Sequence, residues 1–359
     1  MSAAPFGRNF LPGPAGVHPD ILAAMQRPVI SHRGAEMAEL MARMERPLRH
    51  LFRTTRPVLV ATSSATGFME AAVRAGVRQR LLAVVGGHFG ERFARVAEAC
   101  GKEVVRVVVP PGRALDPAHL ERFLDGPGVD AVSVVHAETS TGALAPLESL
   151  ARVVRSRDDV LLLVDAVGSI GADPVEFDLW QLDFAFTGTQ KALGLPAGLA
   201  LAAASKRLME RARTAEAPGS YFDLHALERA ARERRPASTP ALAQLYALDA
   251  QLERIGASGG VEARWERHAR LRGMMEAWCT GHSRFSLLAP PGSRSAAVSA
   301  LRLPAGIASP AVVAALAARG WLAAPGLDTQ SDALLRIGHM GDLEPSHLQA
   351  FLAALDALV

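Results

Sequence analysis

The chain is 359 residues long, enough for two or three domains or for one large domain with a smaller attachment. Hydrophobic residues at 49% and charged residues at 21% place it among globular proteins and exclude disordered and collagen-like chains. Lys and Arg number 39 against 36 acidic residues, and a net charge of +3 is too small and too evenly spread to select a nucleic acid or an anionic membrane. Cys100 and Cys279 are far apart and lack His or Cys neighbours at metal-ligand spacing. That excludes a disulfide framework and a zinc site, and it suits a reducing, cytoplasmic setting. No apolar run approaches the ~18 residues of a membrane span.

A Pro-Gly-rich stretch, Leu11-Pro12-Gly13-Pro14-Ala15-Gly16, marks residues 1–20 as an N-terminal arm and cannot be a targeting helix. From about residue 57 short apolar runs alternate with longer amphipathic ones, the pattern of a buried, mostly parallel sheet covered by helices on both faces. Strands are predicted at Pro57–Ala61, Leu81–Val85, Glu103–Val109, Ala131–Val135, Val160–Val164, Phe184–Thr187 and Leu199–Ala203, seven in one large sheet. Apolar residues at three- and four-residue spacing predict helices at Gly67–Ala75, Glu91–Cys100, Pro117–Leu124 and Leu147–Val154. Beyond Ala203 the chain turns helical and charged, Pro236-Ala237-Ser238-Thr239-Pro240 breaks it, and a long helix follows over Ala241–Ile255. The fold class is therefore α/β: a large domain over 21–252, then a smaller α+β domain over 253–359. The latter carries strands near Ala296–Leu303 and Leu334–Ile337 and helices at Pro310–Ala318 and Pro345–Leu358.

In open α/β sheets ligands bind beyond the C-terminal strand ends, so those loops carry the chemistry. Ser64-Ala65-Thr66-Gly67 opens a helix with hydroxyls and free N–H groups that suit a phosphate, although an ordinary helix cap uses the same residues. Phe89, among glycines in Gly86–Arg92, could stack on a flat ring or fill the core. His136-Ala137-Glu138-Thr139-Ser140-Thr141-Gly142 concentrates an imidazole, a carboxylate and three hydroxyls, more than a structural loop needs. Asp165 ends a wholly apolar run, a costly place for a carboxylate unless a cationic or proton-bearing partner meets it. Only three of the basic residues are lysines. Lys102 and Lys206 sit among charged residues, whereas Lys191 follows an apolar strand in Gly188-Thr189-Gln190-Lys191-Ala192. A semi-buried lysine of lowered pKa can form a Schiff base with an aldehyde. A phosphate cup, a ring stacker, a carboxylate for a pyridinium nitrogen and such a lysine are the parts of a pyridoxal phosphate site.

These motifs, with Pro12-Gly13-Pro14 and Leu335-Arg336-Ile337-Gly338-His339-Met340-Gly341, resemble the class V aminotransferases of fold type I, specifically the alanine-glyoxylate and serine-glyoxylate (serine-pyruvate) group. The resemblance runs nearly end to end. It implies a pyridoxal 5'-phosphate enzyme that moves an amino group from alanine or serine to glyoxylate or pyruvate by a ping-pong cycle through a Lys191 Schiff base. It implies that Asp165 pairs with the pyridinium nitrogen, that Val167 and Phe89 cover the two ring faces, and that Ser64, Ala65, Thr66 and Gln190 hold the phosphate. It implies further that Thr139 meets the ring hydroxyl, that Arg336 takes the substrate carboxylate, and that Thr239 is lent to the phosphate by the partner of a homodimer. The arm before residue 20 is then expected to cross to that partner or to cover the site.

Ala65 stands where the family often has glycine, and Phe89 where tryptophan is frequent. Cysteine desulfurases share the family but need a mobile nucleophilic cysteine, and both cysteines here fall in helix-like segments. A kynureninase-like lyase, or an aminotransferase for ureidoglycine or an aminophosphonate, are the alternatives.

Overall fold

The structure is a computed structural model that describes residues 5–126 and 128–358. Nine strands form in the large domain: β1 Leu59–Thr62, β2 Arg80–Val85, β3 Glu103–Val108, β4 Ala131–Val135, β5 Ala137–Glu138, β6 Ala143–Leu144, β7 Leu161–Asp165, β8 Phe184–Gly188 and β9 Leu199–Ala204. Seven of them make one sheet in the order β1-β9-β8-β7-β4-β2-β3, and β5 and β6 form a separate small ladder. The expected seven-stranded, mostly parallel sheet is therefore present. Only β9 runs against its neighbours β1 and β8. The central strands β7, β8 and β9 are buried at every position, because helices cover both faces and leave no water-facing side.

The first strand begins at Leu59 rather than Pro57, since a proline has no N–H to give to a ladder. The helix placed at Glu91–Cys100 starts earlier, at His88, so Phe89 belongs to a first helical turn and not to an open glycine loop. The helix Ala35–Phe52 was not foreseen; Met37, Leu40, Met44, Leu48 and Leu51 bury one face of it, a helical spacing interrupted in sequence by Pro47.

The small domain has strands β10 Ser286–Leu287, β11 Val298–Arg302, β12 Ala324–Pro325 and β13 Leu334–Gly338, ordered β10-β11-β13-β12 and antiparallel throughout. The two outer strands are two residues long and carried no sequence signal. Helix Leu242–Ala257 runs through the expected boundary at residue 252 and buries Leu245, Leu248, Leu252 and Ile255 in the large core. The chain turns at Gly259 and Gly260, both at positive φ, before helix Gly260–Gly281 carries it into the small core.

The arm packs on the small core and reaches Lys191. Phe10 stacks on Phe351 at 4.4 Å inside the small core, and its backbone bonds Leu322 and Gly338. Two carboxylates, Asp173 buried and Asp342 nearly so, then seam the domains. Asp173 accepts from the Ala296 N–H at 3.1 Å and from Ser295 Oγ at 3.2 Å. Asp342 pairs with Arg264 at 2.7 Å and accepts from Gln251. Removing one member of such a pair leaves a buried charge without compensation, so Asp342→Ala should cost about 3–5 kcal/mol of unfolding free energy. A urea unfolding curve, read against the wild-type chain, measures it.

Candidate active site

The C-terminal ends of β1, β2, β4, β7 and β8 share one edge of the sheet, and Lys191 lies in the loop that leaves β8. Lys191 follows β8 by three residues and is 9% exposed. Its Nζ donates to the carbonyl of Pro12 and lies 5.5 Å from the Phe89 ring centroid. Burial, and after it the charge of Arg336, bring its pKa down to about 8, with Asp165 and Glu138 pulling the other way. Lys102 instead donates to the Arg78 carbonyl at the surface, and Lys206 is exposed. The arm leaves room for this amine only because residue 13 is glycine. At φ +119 a Cβ there would lie 2.6–2.8 Å from the Lys191 Cδ, Cε and Nζ atoms.

Asp165 ends the neighbouring strand, 3% exposed, and accepts from the Val167 N–H at 2.9 Å. Burial raises its pKa to about 7, against the pull of that N–H. A carboxylate kept this far from water is suited to meet a protonated ring nitrogen. Gly168 lets the following turn close against β5: a Cβ there would sit 2.7 Å from the Ala137 carbonyl oxygen and 2.9 Å from Thr139 Cγ2.

Arg336 lies on β13, 8% exposed, donating from Nε to the Pro325 carbonyl at 2.8 Å and from Nη1 to the Thr139 carbonyl at 3.4 Å. Among the described residues no carboxylate lies within ion-pair distance of it. A buried guanidinium without an anion has the donor geometry to accept a carboxylate.

Ser64 caps helix Ala65–Gly76 without a side-chain bond to it, and Ser64 and Thr66 are exposed around the buried Ala65. Their hydroxyls and the free first-turn N–H groups can take a phosphate. Gln190 folds toward Gly188, where a Cβ would come within 2.5 Å of its Oε1. Between His88 and Phe89, it is Phe89 that faces the lysine; His88 turns away to pair with Asp328 at 3.0 Å. Thr239 is not part of this group: it is exposed, in a cavity of about 500 Å³ lined also by His32, Arg33, Gly34 and Met37. Both cysteines are half-buried, and burial pushes the Cys279 thiol up to about 11 and that of Cys100 up as well. Neither is poised as a nucleophile.

Four residues take parts here that their sequence contexts do not assign. Pro12 contributes only a carbonyl, which no side-chain pattern reveals. Arg264 donates to the Ala192 carbonyl and Gln251 to that of Leu193, fixing the turn behind Lys191 from the domain seam. Glu138 accepts from the N–H groups of Phe89 and Gly90. The donor set as a whole fits pyridoxal phosphate: an anion cup, a carboxylate for a ring nitrogen, an apolar ring between them, and an amine of lowered pKa.

The model of the family described as Aminotransferase class-V matches residues 18–329. A relative named the small subunit of a soluble hydrogenase, from Synechococcus sp. (strain PCC 6716), is 33% identical over 97% of this chain and 92% of its own. The L-aspartate–glyoxylate aminotransferase of Paracoccus denitrificans is 29% identical over 93% and 86%. Among solved structures, the alanine–glyoxylate aminotransferase of Nostoc sp. superposes with a TM-score of 0.93 at 27% identity, covering 99% of this chain and 95% of that one.

The folded pKa of Asp165 stands above the ordinary carboxylate value of about 3.9, so the folded chain holds an extra proton between about pH 4 and 7, and this residue's contribution to stability falls as pH rises through that window. Asp165→Asn should therefore stabilise the cofactor-free chain at pH 8 by on the order of 1–4 kcal/mol, with the gain shrinking toward pH 4. Thermal unfolding of the two proteins across that range checks the sign.

Proposed function

Since the chain belongs to the class V aminotransferases and is a transaminase working with pyridoxal 5'-phosphate, we propose that it moves the amino group of alanine or serine to glyoxylate. The observation that carries the reading is the pairing of an unprotonated-prone buried amine, Lys191, with a buried guanidinium, Arg336, that has no anion of its own. Glyoxylate as acceptor is shared by the names of two relatives, the Paracoccus and the Nostoc proteins. A small donor suits a site in which the Pro12 carbonyl, Gly13 and the Phe89 ring crowd the amine.

When bound, the cofactor supplies an electron sink for the pair left behind as the substrate Cα–H bond breaks. Asp165 would hold its ring nitrogen, Phe89 and Val167 its ring faces, Thr139 its ring hydroxyl, and Ser64, Ala65, Thr66 and Gln190 its phosphate. Arg336 binds the α-carboxylate of donor and acceptor alike and so fixes the Cα–H bond relative to Lys191. The Lys191 amine must be neutral to take the proton from the donor's Cα, and as the ammonium it returns one to the acceptor's in the second half of the cycle. With its pKa near 8 it is neutral in a useful fraction of molecules at cellular pH, where a solvated lysine is not. The same site serves both halves of the cycle, as a ping-pong mechanism demands.

The functional unit in this reading is a homodimer. Ser238 and Thr239 are exposed and have no part in the site of their own chain, which leaves them free to complete a partner's phosphate cup.

A second donor, aspartate, is favoured by Arg92, whose guanidinium lies 4.9 Å from the Phe89 centroid and, among the described residues, pairs with no carboxylate. Comparing kcat/KM for alanine, serine and aspartate in the wild type and in Arg92→Ala separates the readings. The small-donor reading expects the order alanine or serine over aspartate, unchanged by the substitution.

The purified protein should show the visible band of lysine-bound cofactor, lose it on adding L-alanine or L-serine, and regain it with glyoxylate. Lys191→Ala should show no such band. A band that survives every amino acid would remove the transamination of these donors. Arg336→Gln should lower kcat/KM by about 10²–10³, the loss of roughly 3–4 kcal/mol from a charge-assisted pair. It should also move the pH at which Lys191 captures added cofactor upward, because the Arg336 charge is one of the causes that depress the lysine.

A further inference from the structure

Glu138 is 4% exposed, and among the described residues it has no ion-pair partner. A buried carboxylate without a cation persists only where hydrogen bonds replace water completely. Here Oε2 accepts from the N–H groups of Phe89 and Gly90, both at 3.1 Å, and Oε1 from the Ser140 N–H at 3.1 Å and its hydroxyl at 2.5 Å. The Ser140 Oγ in turn accepts from the His88 N–H at 3.1 Å. Three successive N–H groups at the start of helix His88–Ala99, which would otherwise be orphans at a helix end, are thus bound to the β5–β6 hairpin. The N-terminal end of the helix dipole favours the negative charge placed there. Gly87 is required for this approach: a Cβ there would lie 2.4 Å from Ser140 Oγ and 2.7 Å from Glu138 Cγ.

Resting on the assignment of Phe89 as the cofactor's stacking face, we propose that Glu138 is a positioning residue, holding the Phe89 ring over the Lys191 amine by clamping the backbone on either side of it. The clamp ties the segment after β2, which carries Phe89, to the hairpin after β4. Its charge has a second effect: Glu138 is among the groups that raise the Lys191 pKa against burial. Glu138→Gln is the informative change. The amide has the same shape, but one of its two acceptors becomes a donor and meets N–H groups head-on.

Two measurements test the clamp. In the cofactor-free chain, amide hydrogen exchange over residues 86–92 should quicken at least tenfold in Glu138→Gln. In the reconstituted enzyme, Glu138→Gln and Phe89→Ala should each weaken cofactor binding about tenfold, and the double variant should be no weaker than Phe89→Ala alone. A carboxylate that acts through Phe89 has nothing left to act on once the ring is gone. Unchanged exchange, or affinity losses that multiply in the double variant, would overturn the proposal. Should Glu138→Gln fail to fold, Gly87→Ala keeps every donor and acceptor but forces the hairpin away, and it should reproduce both effects. If the wild-type chain shows no cofactor band, the functional reading fails, while the exchange measurement still decides whether Glu138 fixes the Phe89 backbone.

Discussion

The Lys191 amine is held out of water, and most of the site follows from that one condition. A buried ammonium is expensive, and the protein lowers the cost by letting the proton leave easily rather than by supplying a full counter-charge. The nearby Asp165 is itself strained toward the neutral acid by burial, and Arg336 adds a positive charge to the same space. Burial thus works against the charged form of both ionisable neighbours of the lysine. Burying both groups costs stability in the protein alone, a cost that a bound group of opposite charge would offset.

Holding an amine this way requires walls from both domains. The large domain contributes strand ends, where five loops converge because the parallel sheet sends them to the same edge. The small domain contributes Arg336 from β13 and, through the arm that lies along it, the Pro12 carbonyl. The seam between the domains is accordingly polar and specific. Arg264 and Gln251 reach from the two helices of the seam to the carbonyls next to Lys191, and Asp342 holds both. These bonds tie the turn that carries the lysine to the domain seam.

Some of this was legible residue by residue. Lys191 stood out because lysine is scarce in this chain, and Asp165 because a carboxylate rarely ends a run such as Leu161-Leu162-Leu163-Val164. The resemblance added Arg336, which the structure places against the carbonyl of Thr139 in the same site. The misplaced edges have local causes: Pro57 cannot join a ladder, the helix at His88 starts inside a glycine-rich segment, and helix Leu242–Ala257 keeps its apolar spacing past the expected boundary. Glu138 was noticed as part of a polar loop, but its task was hidden, because its partners are backbone N–H groups 48 and 49 residues earlier.

What the sequence by itself determined was the seven strands of the large sheet, their mostly parallel pairing, and the side chains that stand out as candidates for chemistry. These depend on apolar spacing along a few neighbouring residues and on side-chain identity, both of which are written locally. Only the tertiary structure decided that the arm folds back on its own lysine, that Phe89 and not His88 faces it, that Thr239 stands apart, and how far each ionisable group is displaced from its ordinary pKa. Those outcomes turn on desolvation and on distances between residues far apart in the chain, quantities that exist only once the two domains have closed around a common edge.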